Sequence, residues 1–170
     1  MERDHSRATE GNVEYKELFD AASEGDLEHL EAALLPSLDI NALEPNHLQG
    51  RTALHVASQT GNVEAIQFLL THGAKVDLRN SEYRTPLHDA AFNAQPEAIK
   101  ALLKGGASIH LQTGDYNFTA LHDVLKFKDT VTPEQIKTIE LLLDQGSDVN
   151  ADADGWGSTL VGLDVQCLRK

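Results

Sequence analysis

A Thr-x-Leu-His tetrad returns at a fixed distance along this chain. It stands at Thr52–His55, Thr85–His88 and Thr119–His122, so the period is 33 residues and then 34. A period of this size means stacked units, because one unit alone cannot bury its apolar face. The likeness runs past the tetrad. Val63, Ile66, Leu69 and Leu70 lie at helical spacing and recur as Pro96, Ile99, Leu102 and Leu103. They recur again as Ile136, Ile139, Leu142 and Leu143. Each set ends at a glycine (Gly73, Gly106, Gly146), where a helix takes a left-handed C-cap. An aliphatic residue follows three positions on, at Val76, Ile109 and Val149.

Repeated histidines suggest metal ligands, but the spacing opposes this. A zinc ion holds its ligands at about 2.0–2.3 Å, whereas packed helices of neighbouring units stand about 8–10 Å apart. Three histidines in equivalent places cannot converge on one ion. The tetrad therefore reads as architecture. Thr52, Thr85 and Thr119 sit where a helix begins and a hydroxyl can accept from first-turn N–H groups. Pro86 follows Thr85, at a position with no N–H to lose. Leu54, Leu87 and Leu121 point to the core, and Ala57, Ala90 and Ala91 let the helices of a unit pack closely.

The words "TPLHDAA", "ALLKGGASI" and "LLLDQGSDVNA" make residues 14–154 similar to the ankyrin repeat family. The resemblance implies an all-α solenoid of helix-turn-helix units joined by short β-hairpin fingers. It also implies that the tetrad Thr–His pair links one unit to the next. On this template residues 1–13 are a flexible acidic tail and 14–49 a divergent N-capping unit. Full units follow at 50–82, 83–116 and 117–154, and 155–170 form a partial C-terminal unit or cap. The first unit aligns Leu18 with Leu54, Gly25 with Gly61, and Leu27 and Leu30 with Val63 and Ile66. It departs from the pattern at Lys16 and Phe19, which replace the Thr and His, as suits an end unit whose outer face meets water. The last full unit carries six extra residues around "KFKDTVT". There Thr132-Pro133-Glu134-Gln135 reads as a capping box that starts a helix at Pro133.

The net charge is −13, and the first fifty residues hold 12 acidic against 3 basic side chains. This balance excludes nucleic acid, whose binding rests on neutralising phosphates with Lys and Arg. It serves solubility, and it equally suits a partner protein of basic character. No apolar run reaches the roughly 18 residues of a membrane span, and the polar start lacks a signal-peptide core. The single Cys167 allows no intrachain disulfide, so a reducing compartment is expected: the cytoplasm, with the nucleus also open. Asn117-Phe118-Thr119 matches a glycosylation acceptor and is read as chance without a leader. Asn150 to Gly155 begins like a calcium loop, yet its twelfth position is Val161 where a bidentate Glu is needed. No P-loop, GxGxxG, GxSxG or HExxH occurs, and Cys167 has no base near it in sequence. The expectation is no enzyme, no cofactor and no metal.

A stack of such units curves, and its concave side is the surface such stacks use for binding. Positions there that neither pack nor cap are free to specify a ligand. They are Arg51 and Gln59, then Arg79, Glu82, Tyr83, Arg84 and Phe92, then Tyr116, Phe118 and Lys126, and lastly Trp156. Tyr83 and Trp156 stand where the turn favours glycine, as Gly50 does, with Asn117 a tolerable substitute. Such rings either stiffen the stack by packing on the next finger or anchor a partner. The chain is therefore expected to be a monomeric, non-catalytic protein-binding module: an adaptor, scaffold or inhibitor. The alternative is the targeting module of a longer enzyme or of a bacterial effector.

Overall fold

The computed structural model describes residues 6–34, 38–44, 48–114, 116–125, 131–151 and 153, with side chains from Tyr15 onward. These residues form eight helices in four pairs: α1 (Ser6–Glu24) with α2 (Leu27–Ala33), α3 (Ala53–Thr60) with α4 (Val63–Thr71), α5 (Pro86–Phe92) with α6 (Pro96–Lys104), and α7 (Ala120–Leu125) with α8 (Pro133–Asp144). The odd-numbered helices pack in a row, α1 on α3 on α5 on α7. The even-numbered helices form a second row behind them. This is the all-α repeat architecture that the period implies. Helix α1 begins at Ser6, so it runs from the expected tail into the first unit without a break.

The apolar pattern explains the two rows. Leu54, Leu87 and Leu121 are fully buried, as are Ile66, Leu69, Ile99, Leu102, Ile139 and Leu142. Leu18 and Leu30 fill the matching places in the first unit. Ala57, Ala90 and Ala91 have no exposure, which brings inner and outer helices close. No described helix is long and apolar enough to cross a membrane.

Local chemistry sets the helix ends. Thr52 is extended (φ −92°, ψ 166°) and its hydroxyl accepts from His55 N–H, so α3 starts at the next residue. Thr132 accepts from Gln135 N–H at 3.3 Å and donates its own N–H to Gln135 Oε1 at 2.9 Å. That is the expected capping box, and α8 starts at Pro133. Gln135 also donates to the Val124 carbonyl at 2.6 Å, tying the end of α7 to α8 across the longer connection. At the other end of the units, Asn62 reaches back to the Ala22 and Ser23 carbonyls. It thereby closes the C-terminus of α1 from the following unit.

The fingers differ from expectation in one respect. No described residue is in a β-strand. Each finger is a turn with one backbone bond across its base: Glu44 N–H to the Arg51 carbonyl, Asn80 to Arg84, and Thr113 to Phe118; the second finger adds Tyr83 N–H to the Asn80 carbonyl inside the turn. The next bond comes from a side chain. Asn80 Oδ1 accepts from both Glu82 and Arg84 N–H, and Thr113 Oγ1 accepts from Phe118 N–H. With side chains taking those donors, no strand ladder forms.

Candidate protein-binding surface

His55 and His88 have both ring nitrogens engaged in architecture, and His122 accepts from Thr119 N–H through Nδ1. Thr52 donates its N–H to His55 Nδ1 at 3.2 Å, which leaves the proton on Nε2. Nε2 then donates to the Arg84 carbonyl, 3.1 Å away in the next unit. His88 repeats the arrangement on Thr85 and the Phe118 carbonyl. Burial pulls His55 down and holds His88 at about 4, because a charged ring is poorly solvated there. Both rings are neutral near pH 7, and neither is free to act as acid or base.

Several residues expected to face a partner are occupied by their own chain. Arg84 lies in the interior at 8% exposure. Its Nε meets Asp89 Oδ1 at 2.8 Å, one terminal nitrogen meets Asp123 Oδ1 at 3.0 Å, and the other donates to the His88 carbonyl. Its guanidinium carbon also sits 5.3 Å from the ring centre of half-buried Phe92. Phe118 is likewise interior, at 5% exposure, and stacks on the tetrad ring of His122. Arg84 and Phe118 are therefore corrected from contact residues to core residues, since neither presents surface to another molecule. Arg51 is only half-buried, but Glu44 holds it at 2.8 Å and it donates to Gln59 Oε1. Lys126, Trp156, Cys167 and most of the calcium-like loop lie outside the described residues.

What remains open is the edge of the fingers. Tyr83 is 58% exposed although its backbone sits at φ 58°, a region costly for a side chain. Its ring lies on the next finger, where a Cβ placed on Gly114 would be 2.8 Å from Tyr83 Cδ2. Arg79 reaches the same finger, donating to the Gln112 carbonyl at 2.9 Å, and stands 6.0 Å from the Tyr83 ring centre. Tyr116 is 46% exposed and stacks on Phe118 at 5.4 Å. On the other side Glu82 accepts from Gln49 of the preceding finger at 3.1 Å. The Tyr83 ring thus packs on the next finger with one face and leaves the rest exposed.

A profile of ankyrin repeats in three copies matches residues 18–113. The chain belongs to the ankyrin repeat family. Ankyrin repeats form protein-interaction modules, and the match covers the first two finger connections and ends at Thr113, where the third begins. The chain is also 43% identical over 60 residues to an L-asparaginase of Dirofilaria immitis, a stretch of 35% of this chain and 10% of that protein. It is 39% identical over 66 residues to the Arf-GAP with ANK repeat and PH domain-containing protein cnt-1 of Caenorhabditis elegans, covering 39% of this chain and 8% of the relative. The matched stretch is a tenth or less of each relative's length.

The buried cluster in this ankyrin stack is what sequence reasoning misses. Its signal is present, since Asp89 and Asp123 each follow a tetrad His. Only packing shows that one arginine from the preceding turn reaches both. Among the described residues no group of three His, Cys, Asp or Glu is arranged to hold a metal ion.

Proposed function

We propose that this ankyrin stack binds a partner protein along its concave side and finger edge, as a non-catalytic adaptor, scaffold or inhibitor. One observation carries the reading. Of the six large hydrophobic side chains exposed among the described residues, Leu43, Leu48, Tyr83 and Tyr116 stand on the fingers. Exposed apolar groups gathered on one edge mark an interaction surface, whereas scattered ones carry no such meaning. The net charge of −13 supports a partner of basic character. The protein acts as a monomer, in the cytoplasm or nucleus; the single cysteine supports the compartment, since it allows no intrachain disulfide.

A second reading is that the stack targets a larger enzyme. It is favoured by the two relatives, each about ten times longer than the matched stretch. The test is affinity capture with the native chain and with a Tyr83→Ala/Phe92→Ala pair whose helicity is checked by circular dichroism. Loss of a protein from the folded pair supports binding at the fingers. An unchanged set moves binding to the convex side or the acidic first unit.

A further inference from the structure

We infer that the α7–α8 unit pivots on the α5–α6 unit, with α6 and α8 changing their separation while α5 and α7 stay joined. The pivot belongs to the chain by itself, so it stands or falls independently of any partner.

The two earlier junctions share a clasp that this one lacks. Asn62, Gln95 and Gln135 hold the same place, four residues before Ile66, Ile99 and Ile139. Asn62 donates to the Ala22 carbonyl at 3.3 Å and to that of Ser23, both in the unit before its own. Gln95 also lies on the preceding unit, where a Cβ added to Gly61 would collide with its Oε1. Gln135 turns the other way and donates to the Val124 carbonyl at 2.6 Å, within its own unit. Its Oε1 accepts from Thr132 N–H at 2.9 Å, so the amide is committed to that unit at both ends.

The glycine pattern records the same change. Gly25 and Gly61 are left-handed, and a Cβ on either would press on the clasp side chain. The third such place holds Ala94, at φ 50°. A methyl group fits there, since the residue that would clasp it faces α7 instead.

Without the clasp the outer helices stand apart. A groove of about 270 Å³ runs between Pro96, Glu97 and Lys100 of α6 and Lys137, Glu140 and Leu141 of α8. That is room for about nine waters. The ion pair on its wall, Lys100 with Glu97 at 2.9 Å, lies within α6 and does not cross to α8. Between α4 and α6 the contact is close: a Cβ on Gly105 would be 2.6 Å from Leu70 Cδ1.

The inner side of the same junction is fixed. His88 donates to the Phe118 carbonyl at 3.0 Å, and Arg84 donates to Asp123 at 3.0 Å. Arg79 and Tyr83 join the two fingers as well. A unit held along one side and parted by solvent along the other rotates about the held side, displacing water rather than protein contacts. Since the curve of a stack is the sum of small rotations per unit, this junction adjusts the concave side.

The test uses nitroxide pairs at equivalent exposed positions of the full chain carrying Cys167→Ser. One pair, Gln67→Cys with Lys100→Cys, spans α4 and α6; the other, Lys100→Cys with Glu140→Cys, spans α6 and α8. Dipolar broadening in frozen solution reads the spread of separations, and circular dichroism checks the helicity. The second pair is expected to be at least twice as broad as the first. Leu141→Phe, which enlarges a groove side chain, is expected to narrow the second pair and leave the first unchanged. Equal spreads in the two pairs overturn the pivot. A broad second pair that Leu141→Phe leaves untouched also overturns it, because the spread then does not come from the groove.

Discussion

His55 donates from Nε2 to the carbonyl of Arg84, 29 residues on and 3.1 Å away. His88 does the same to Phe118 at 3.0 Å. Each acceptor immediately precedes the next tetrad threonine, so the first two tetrads fix where the following unit begins. These bonds need a neutral ring, because Nδ1 must accept from the threonine N–H.

Acidification should therefore loosen the stack. In the unfolded chain a histidine takes its proton near 6.5, while folded His88 does so at about 4. Between these values the unfolded state binds more protons, so stability rises with pH. The contribution is complete above about pH 6.5 and is lost as pH falls towards 4. From His88 alone, urea unfolding at pH 7.5 and pH 5 should differ by about 2 kcal/mol. His55, also lowered, adds in the same direction. A flat profile from pH 7.5 to 5 would contradict the buried neutral rings.

Arg84→Met should be among the most damaging single changes. It removes the guanidinium that the carboxylates of Asp89 and Asp123 share, at residues 8% and 0% exposed. Breaking a buried pair from one side costs about 3–5 kcal/mol. Adding Asp89→Asn and Asp123→Asn should recover most of that loss, because the uncompensated charge is gone. Equal stability of the single and triple variants would show that charge is not the cause.

Ala94→Gly should stabilise slightly. Ala94 sits at φ 50°, where the preceding units place Gly25 and Gly61 at 77° and 81°. A left-handed alanine costs about 1–2 kcal/mol. The methyl lost is 9% exposed and offsets part of that relief. A gain of about 0.5 kcal/mol in urea titration is expected; a clear loss would mean the methyl packing outweighs the strain.

His110→Asn should extend a ladder that stops one unit early. Asn41 Oδ1 accepts from Lys75 N–H at 2.8 Å, and Asp77 accepts from Ser108 N–H at 3.1 Å. His110 holds the next place in that series, opposite Asp148. Asparagine there restores an acceptor, with an expected gain of about 0.5 kcal/mol at this exposed site. Thermal unfolding of the two proteins side by side reads it.

Much of the fold is legible in the chain because it is periodic. Tetrad, apolar face and closing glycine recur at nearly constant distance, so each unit corroborates the others, and the buried leucines fall where the pattern places them. Thr132-Pro133-Glu134-Gln135 marks the start of α8 by cap chemistry alone, since a cap involves only neighbours in sequence. The binding edge is less legible. Arg84 reads as a surface cation because nothing local opposes it, but Asp123, 39 residues away, completes its burial. Phe118 reads as a finger aromatic, yet it turns inward onto His122. Tyr83 keeps its exposure while resting on a glycine 31 positions later. Sequence by itself determined the repeat, its helices and its caps, which depend on short-range spacing. Tertiary structure alone decided which charges and rings remain for a partner, because burial and pairing depend on the unit stacked next door.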